Sequence, residues 1–274
     1  MNKIIGIIYN PEKELARAHA AKLKKWFARK SCRVIALASS AATAPRLDCA
    51  LALGGDGTML KASRLLAANA TPVLGVNLGT LGFLAETDPR EVYSLLPSLL
   101  NDTYSVEEHM MLNARFTSGN KTVCHTALND VILHSSSTGR VVSVTAKVDG
   151  DFLGEYVGDG IIVATPTGST AYSLAANGPI VHPHLSVVII TPICPHTLAQ
   201  RPLIMPSSSE ITLALSAAKP DAAILSIDGQ LQYRVRTTAI VRVSMSEKPL
   251  RLILNPRRKY LNVLREKLKW GERG

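Results

Sequence analysis

The stretch from Ala50 to Ala70, ALALGGDGTMLKASRLLAANA, sets an apolar strand-like run against a helix-like run with only a glycine turn between them. A strand that passes straight into a helix opens a strand–helix–strand unit, and such units need a parallel sheet with helices on its faces. Glycine at 54, 55 and 57 lets the backbone approach a ligand closely. The helix start that follows offers unpaired N–H groups and partial positive charge, where phosphate is favoured. The turn matches neither G-x-x-x-x-G-K-[ST] nor G-x-G-x-x-G, and Asp56 stands inside it. A carboxylate beside phosphate is repulsive unless it holds Mg2+ or accepts the proton of a hydroxyl that attacks a phosphoryl group. Both uses point to phosphoryl transfer. The plain alternative is a tight turn in which Asp56 helps cap the helix.

The same alternation fills the first third of the chain. Ile4–Tyr9 reads as a strand, and Pro11 opens a helix whose Ala16, Ala20, Leu23 and Phe27 fall at helical spacing. Strands over Arg33–Ala38, Ala50–Leu53 and Pro72–Asn77 follow, with helices over Thr58–Asn69 and Pro89–Leu100, the last bent or restarted at Pro97. After about Tyr104 the period changes to two: Val144, Ala146 and Val148, then Ile211, Leu213 and Leu215, then Val241 and Val243, then Leu250, Leu252 and Leu254. Many short runs of that period predict an antiparallel all-β region. Within it, GSTAYSLAANG reads as a short helix capped by Ser169 or Thr170 and closed by Gly178. Leu261, Leu264 and Leu268 return to helical spacing near the end. These patterns predict an α/β N-terminal domain with a Rossmann-like parallel sheet (1–103) and a β-sandwich-like all-β domain (104–256). A C-terminal helix (257–274) is expected to pack back on the first domain.

The chain has 274 residues, of which 46% are hydrophobic, enough for a sizeable core. Its net charge of +10 suits an anionic partner without choosing among nucleic acid, a phosphorylated small molecule and a membrane surface. The basic residues are scattered and no nucleic-acid recognition motif is present. No apolar run approaches the ~18 residues of a membrane span. Cys32, Cys49, Cys124 and Cys194 form no C-x-x-C pair, and no histidine cluster has zinc-ligand spacing. Free or buried thiols of this kind suit a reducing compartment, so a cytoplasmic location is expected.

Two further stretches carry chemistry. In DGIIVATPTGSTAYSLAANGPIVHP, Asp159 to Pro183, a Pro–Gly turn follows an apolar strand, and Ser169, Thr170, Tyr172 and Ser173 crowd hydroxyls beyond it. Such a cluster can hold a ribose or phosphate, and Tyr172 can stack on a base or close a pocket. A capping cluster in a β-rich domain accounts for it nearly as well. In LNDVILH, Asn129 and Asp130 are adjacent at a strand start, where both can reach one ligand only at a strand end or bulge. An amide plus a carboxylate suits adenine or ribose; a turn opening a strand is the plain reading.

In combination these stretches resemble the NAD kinase family. GGDGT follows the third strand, LND opens the β-rich part, and DGIIVATPTGSTAYSLAANGPI, PHTLAQRPLIMP and SIDGQ come in the family's order. The GGDG turn alone is shared with diacylglycerol and sphingosine kinases and with bacterial phosphofructokinases, whereas the threonine–tyrosine motif is specific. The resemblance implies transfer of a phosphoryl group from ATP, or another donor, to the 2′-hydroxyl of the adenosine ribose of NAD, giving NADP, with Mg2+. It also implies NAD bound between the two domains and a homodimer or homotetramer whose neighbouring subunits help complete the sites, with no nucleic-acid or membrane partner. By position, Asp56 matches the general base with Gly57 beside it, and Lys61 lies one helical turn on, within reach of a phosphate. Phe83 matches a position near the adenine, Asn129 and Asp130 the asparagine–acid pair, and Arg140 a basic position facing the nucleotide. Asp159, Thr170, Ala171, Tyr172, Ser173, Leu174 and Ala175 line the dinucleotide site, and Gln230 is a later contact. The family acid is more often glutamate, so Asp130 has a shorter reach. Many members have serine at Ala175, and Ala176-Asn177-Gly178 departs from the usual small-glycine-glycine run. A lipid kinase and a non-catalytic NAD(H)-binding regulator are the competing readings.

Overall fold

The computed structural model describes residues 3–80, 82–85, 87–118, 121–136, 141–216, 222–236 and 239–270. The chain divides into two compact units, Met1–Glu108 with Leu250–Gly274, and His109–Pro249.

The first unit begins β1 (Ile4–Tyr9), α1 (Glu14–Ala28), β2 (Arg33–Ala38), β3 (Cys49–Gly54), α2 (Asp56–Ala67), β4 (Val73–Asn77), α3 (Val92–Asn101) and β5 (Val106–His109). The strands stand in the order β2-β1-β3-β4, followed by a strand from the far end of the chain and then β5. β1 pairs in parallel with both β2 and β3, and β3 in parallel with β4. β3 and β4 are apolar and covered on both faces, as helices on either side of a parallel sheet require. All four residues of the α1 stripe, Ala16, Ala20, Leu23 and Phe27, are buried. The helix starts at Glu14, later than Pro11 suggests, because Pro11 and Glu12 form a turn in which Asn10 Oδ1 accepts the Glu12 N–H. α3 runs unbroken through Pro97. From β1 the chain moves to one side of the sheet and from β2 it returns to the other. The carboxyl ends of β1 and β3 therefore form a topological switch point, where open α/β sheets bind ligands. The glycine turn leaves β3 at that end.

The second unit contains β6 (Leu112–Ser118), β7 (Lys121–Ala127), β8 (Asp130–Ser135), β9 (Val142–Val148), β10 (Asp151–Gly158) and β11 (Gly160–Ala164). After a 3-10 turn at Thr167–Thr170 and one helical turn, α4 (Tyr172–Ala175), come β12 (Val187–Ile193), β13 (Leu203–Pro206), β14 (Ile211–Leu215), β15 (Ala222–Ile227), β16 (Leu231–Arg236) and β17 (Ile240–Met245). They form two six-stranded sheets, β10-β9-β14-β17-β6-β7 and β13-β12-β11-β8-β15-β16. Every pairing given for them is antiparallel. The alternating residues Val144, Ala146, Val148, Ile211, Leu213, Leu215, Val241 and Val243 join the apolar core with Leu133, Ile161 and Val163 of the facing sheet. The other face of the β8–β11–β12 strands is also covered: Ile132, Ile162, Ala164, Ile189 and Ile193 pack with Val181 and Ala176. The run from Thr165 onward is thus laid over the outer face of that sheet, which explains why β8 and β11 are apolar without alternation.

Two expectations are corrected here. Leu250, Leu252 and Leu254 alternate, yet their strand, β18 (Leu250–Ile253), pairs in parallel with β4 and belongs to the first unit. There it lies between β4 and β5, at the end of the sheet that begins with β2. In α5 (Tyr260–Leu268) the buried residues are Val263 and Leu264, while Leu261 is exposed. This helix clusters with the first unit.

Ile161 is fully buried in the centre of the sandwich. Ile161→Ala is expected to cost about 2–5 kcal/mol in denaturant unfolding; a loss under about 0.5 kcal/mol would contradict the packing described.

Candidate functional site

Asp56 is the first residue of α2, and a single residue, Gly55, separates it from β3. Its carboxylate does not cap the helix. It turns to the segment after β4 instead: Phe83 N–H donates to Oδ2 at 2.9 Å, and Leu84 and Ala85 N–H donate to Oδ1 at 3.0 and 3.2 Å. Hydrogen bonds to a charged group contribute about 1.5–3 kcal/mol each, so the side chain is half-buried in a fixed orientation. The chain beyond β4 folds back on that strand. Asn77 N–H donates to Thr87 O, Thr87 N–H donates to Gly75 O, and the Asn77 side chain fixes Gly79 and Thr80. Phe83 is half-buried, with Lys267 Nζ of α5 5.9 Å from its ring centroid. Gly57 is exposed and Lys61 half-buried on α2.

The second unit gathers the other set. The Asp228 carboxylate accepts three consecutive backbone N–H groups: Leu128 at 3.2 Å, Asn129 at 2.7 Å and Asp130 at 3.3 Å. Asp228 and Gly229 sit at the tip of the β15–β16 hairpin with φ of 51° and 64°, and Gln230 N–H closes the turn on Ile227 O. The positive φ at both central residues marks a type I′ turn, and this turn buries the Asp228 side chain beneath the Leu128–Asp130 segment. Gly168 lies against Asn129 so closely that a Cβ there would sit 2.0 Å from Asn129 O. Thr165 ties the two segments together, its hydroxyl donating to Leu128 O and accepting from Gly168 N–H. His109 Nδ1 lies 2.9 Å from Thr167 Oγ1. Asn129, Asp130, the Thr167–Ala175 turns and Gln230 are thus neighbours within this unit.

Their exposures differ. Tyr172 is 46% exposed, and Thr170, Ala171 and Leu174 are half-buried with Ala175 exposed, so these residues form an accessible ledge. Ser173 is fully buried and pairs with the Thr191 hydroxyl at 2.9 Å. The expected caps do not form: Ser169 Oγ pairs with the Val181 backbone and Thr170 Oγ1 donates to Thr167 O. Asn177, with φ 65°, is the left-handed residue that ends the helical turn, ahead of Gly178. Asn129 is half-buried, while Asp130 begins β8 facing the interior and is 3% exposed. Burial first, and the Asp228 charge second, push the Asp130 carboxyl from 3.8 up to about 7, so it holds its proton well above the usual carboxylate range and titrates near neutrality. Asp159 is exposed before β11, at the opposite end of that strand from Thr165. Five residue steps along the strand separate it from Ala164, about 17 Å. Arg140 lies outside the described residues. Asp228 is the residue that motif reading passed over; the Asp-Gly pair between two apolar runs signals a hairpin and places a carboxylate at its tip.

Among the described residues no group of three or more His, Cys, Asp or Glu side chains is placed to hold a metal ion. All four cysteines are free, and no described helix is long and apolar enough to cross a membrane.

Comparison with known proteins adds to this geometry. A family model described as the ATP-NAD kinase N-terminal domain matches residues 37–104, and one described as the ATP-NAD kinase C-terminal domain matches residues 128–255. The chain is 46% identical over 227 residues to the NAD kinase of Geobacter metallireducens, covering 82% of this chain and 80% of that protein. It is 41% identical to the NAD kinase of Moorella thermoacetica, covering 97% of this chain and 89% of that one. Among solved structures, yeast NADH kinase complexed with NADH superposes with a TM-score of 0.91 at 25% identity, over 100% of this chain and 89% of that one. An NAD kinase from Archaeoglobus fulgidus in complex with ATP shares the fold, with a TM-score of 0.78 at 24% identity, over 97% and 98% of the two chains.

The Asp130 shift sets the sign of a pH effect. A carboxyl whose folded pKa lies above its unfolded value holds its proton more tightly when folded, so its contribution to stability declines as pH rises from about 4 to about 7. In thermal unfolding from pH 4.5 to 8, wild type is expected to lose stability relative to Asp130→Asn across that window. A constant offset between the two proteins would contradict a protonated Asp130.

Proposed function

The chain belongs to the NAD kinase family, and from that premise we infer that it transfers a phosphoryl group to the 2′-hydroxyl of the adenosine ribose of NAD, giving NADP. The observation that carries the reading is the orientation of Asp56: an acid at the switch-point end of a parallel sheet, fixed by three backbone N–H groups. In this role Asp56 takes the proton of the 2′-hydroxyl as that oxygen meets phosphorus, which contributes about 10²–10⁴-fold to the rate. Phe83 lies on the segment that holds Asp56 and offers a ring face to the adenine. Lys61, farther along α2, supplies positive charge to phosphate. In the second unit Asn129 and the Thr170–Ala175 ledge offer the amide, backbone and Tyr172 ring that an adenosine or nicotinamide moiety needs, with Gln230 beside the hairpin turn. Asp130, buried and with its carboxyl pushed up to about 7, supports the Asn129 segment from beneath more than it reaches a ribose itself.

ATP is the proposed donor. Mg2+ enters with it as part of the substrate: the described residues offer the ion no cage of their own, and Mg2+ is commonly carried on phosphates with few protein ligands. When bound it neutralises phosphate charge. We further propose a homodimer or homotetramer in the cytoplasm. The free cysteines suit a reducing compartment, and Asp159, remote from the ledge of its own unit, is available to a neighbouring subunit.

Purified protein mixed with NAD, ATP and Mg2+ should form NADP, read with an NADP-specific dehydrogenase; NAD binding without NADP formation would support a non-catalytic regulator instead. Asp56→Asn should reduce kcat at least 100-fold while NAD still binds in calorimetry, and near-normal kcat would remove Asp56 from the role of base. Tyr172→Ala should raise KM for NAD more than KM for ATP. Equal effects on both substrates would take Tyr172 off the dinucleotide.

A further inference from the structure

The three N–H donors on Asp56 are divided unequally between its oxygens. Oδ1 accepts from Leu84 and Ala85, and Oδ2 accepts from Phe83 alone. Each carboxylate oxygen has two lone-pair positions, so these bonds fill Oδ1 and leave one position on Oδ2. Two glycines make this arrangement possible. In β4, a Cβ on Gly75 would lie 2.7 Å from Leu84 O and 2.9 Å from Ala85 Cα, so only glycine lets the returning segment pass. At Gly82, a Cβ would lie 2.0 Å from Asp56 Oδ1 and 2.6 Å from its Cγ. A side chain at 82 would therefore occupy the space that the carboxylate now fills.

We propose that the Gly82–Ala85 segment is a positioning element that selects Oδ2 as the proton-accepting oxygen, with Gly82 the residue on which the selection turns. The inference rests on Asp56 acting as the base. In the step, the 2′-O–H bond breaks and its proton passes to the remaining position on Oδ2. The freed electron pair forms the O–P bond, and the bond from phosphorus to the leaving phosphate oxygen breaks, its electron pair departing with the nucleoside diphosphate. With Oδ1 filled, rotation of the carboxylate cannot present the wrong oxygen, and the base meets the hydroxyl from one direction. Glycine at 82 is then required by the carboxylate, whose oxygen a Cβ there would meet.

A double-mutant cycle tests this. Gly82→Ala should lower kcat about tenfold or more while KM for NAD stays within about twofold. In the Asp56→Asn background the same substitution should change the residual turnover less than twofold, because the carboxylate it disturbs is gone. Multiplicative losses in the double variant, or normal kcat in Gly82→Ala, would overturn the proposal. Near-normal turnover in Asp56→Asn itself would instead overturn the assignment of the base. If Gly82→Ala does not fold, amide hydrogen exchange reads the same contact: Phe83, Leu84 and Ala85 should exchange at least tenfold faster in Asp56→Ala than in wild type. Unchanged protection would show that the segment does not hold the carboxylate.

Discussion

Three consecutive amides converging on one carboxylate is the interaction on which this molecule depends, and the structure uses it twice. Phe83, Leu84 and Ala85 point their N–H groups at Asp56; Leu128, Asn129 and Asp130 point theirs at Asp228. Successive N–H groups that face the same way form a small anion-binding concavity. Left unpaired in a protein interior, each would carry a desolvation penalty of about 1–3 kcal/mol. A fixed carboxylate satisfies all of them and stiffens a segment that is otherwise irregular. The segment in turn fixes the carboxylate, so neither can be placed without the other.

The two sites use the device for different ends. Asp56 stands half-exposed at the end of a parallel sheet, where its remaining acceptor position can face a ligand. Asp228 is buried under a hairpin turn and serves the Leu128–Asp130 run above it. Its charge contributes to keeping the neighbouring Asp130 protonated. In the proposed mechanism an acid does reactive work in one unit, and in the other a more deeply buried acid does scaffolding work. The hydrophobic layers supply the rigidity behind both, the β3–β4 core under the glycine turn and the two-sided burial of β8 and β11 under the Thr165–Gly178 run.

Much of this was legible in the chain. Period located α1 and the alternating strands of the sandwich, because each buries a face whose spacing the backbone fixes, and a short apolar run located β1. It misassigned Leu250–Leu254, since a short alternating run carries no information about its partners, and here the strand lies between β4 and β5, both far away in the chain. It gave Ser169 and Thr170 the role of caps, because a hydroxyl near a turn has several backbone groups within reach and only the fold selects one. The glycine turn announced that Asp56 mattered. It did not announce the segment around Gly82 that holds Asp56, because that contact joins residues 26 and more positions apart through backbone amides, which every residue type supplies. For the same reason Asp228, inside the SIDGQ stretch, was not singled out. Motif reading finds side chains with unusual chemistry, whereas the groups that orient them are often anonymous main chain.

The most direct measurement is a crystal structure of the protein with NAD and a non-hydrolysable phosphoryl donor. The account predicts Asp56 Oδ2 within about 2.6–3.2 Å of the adenosine 2′-hydroxyl, with the Phe83 N–H bond to the same oxygen still in place. An Asp56 carboxylate swung away from that hydroxyl, or reaching it through Oδ1 after releasing Leu84 and Ala85, would contradict the account.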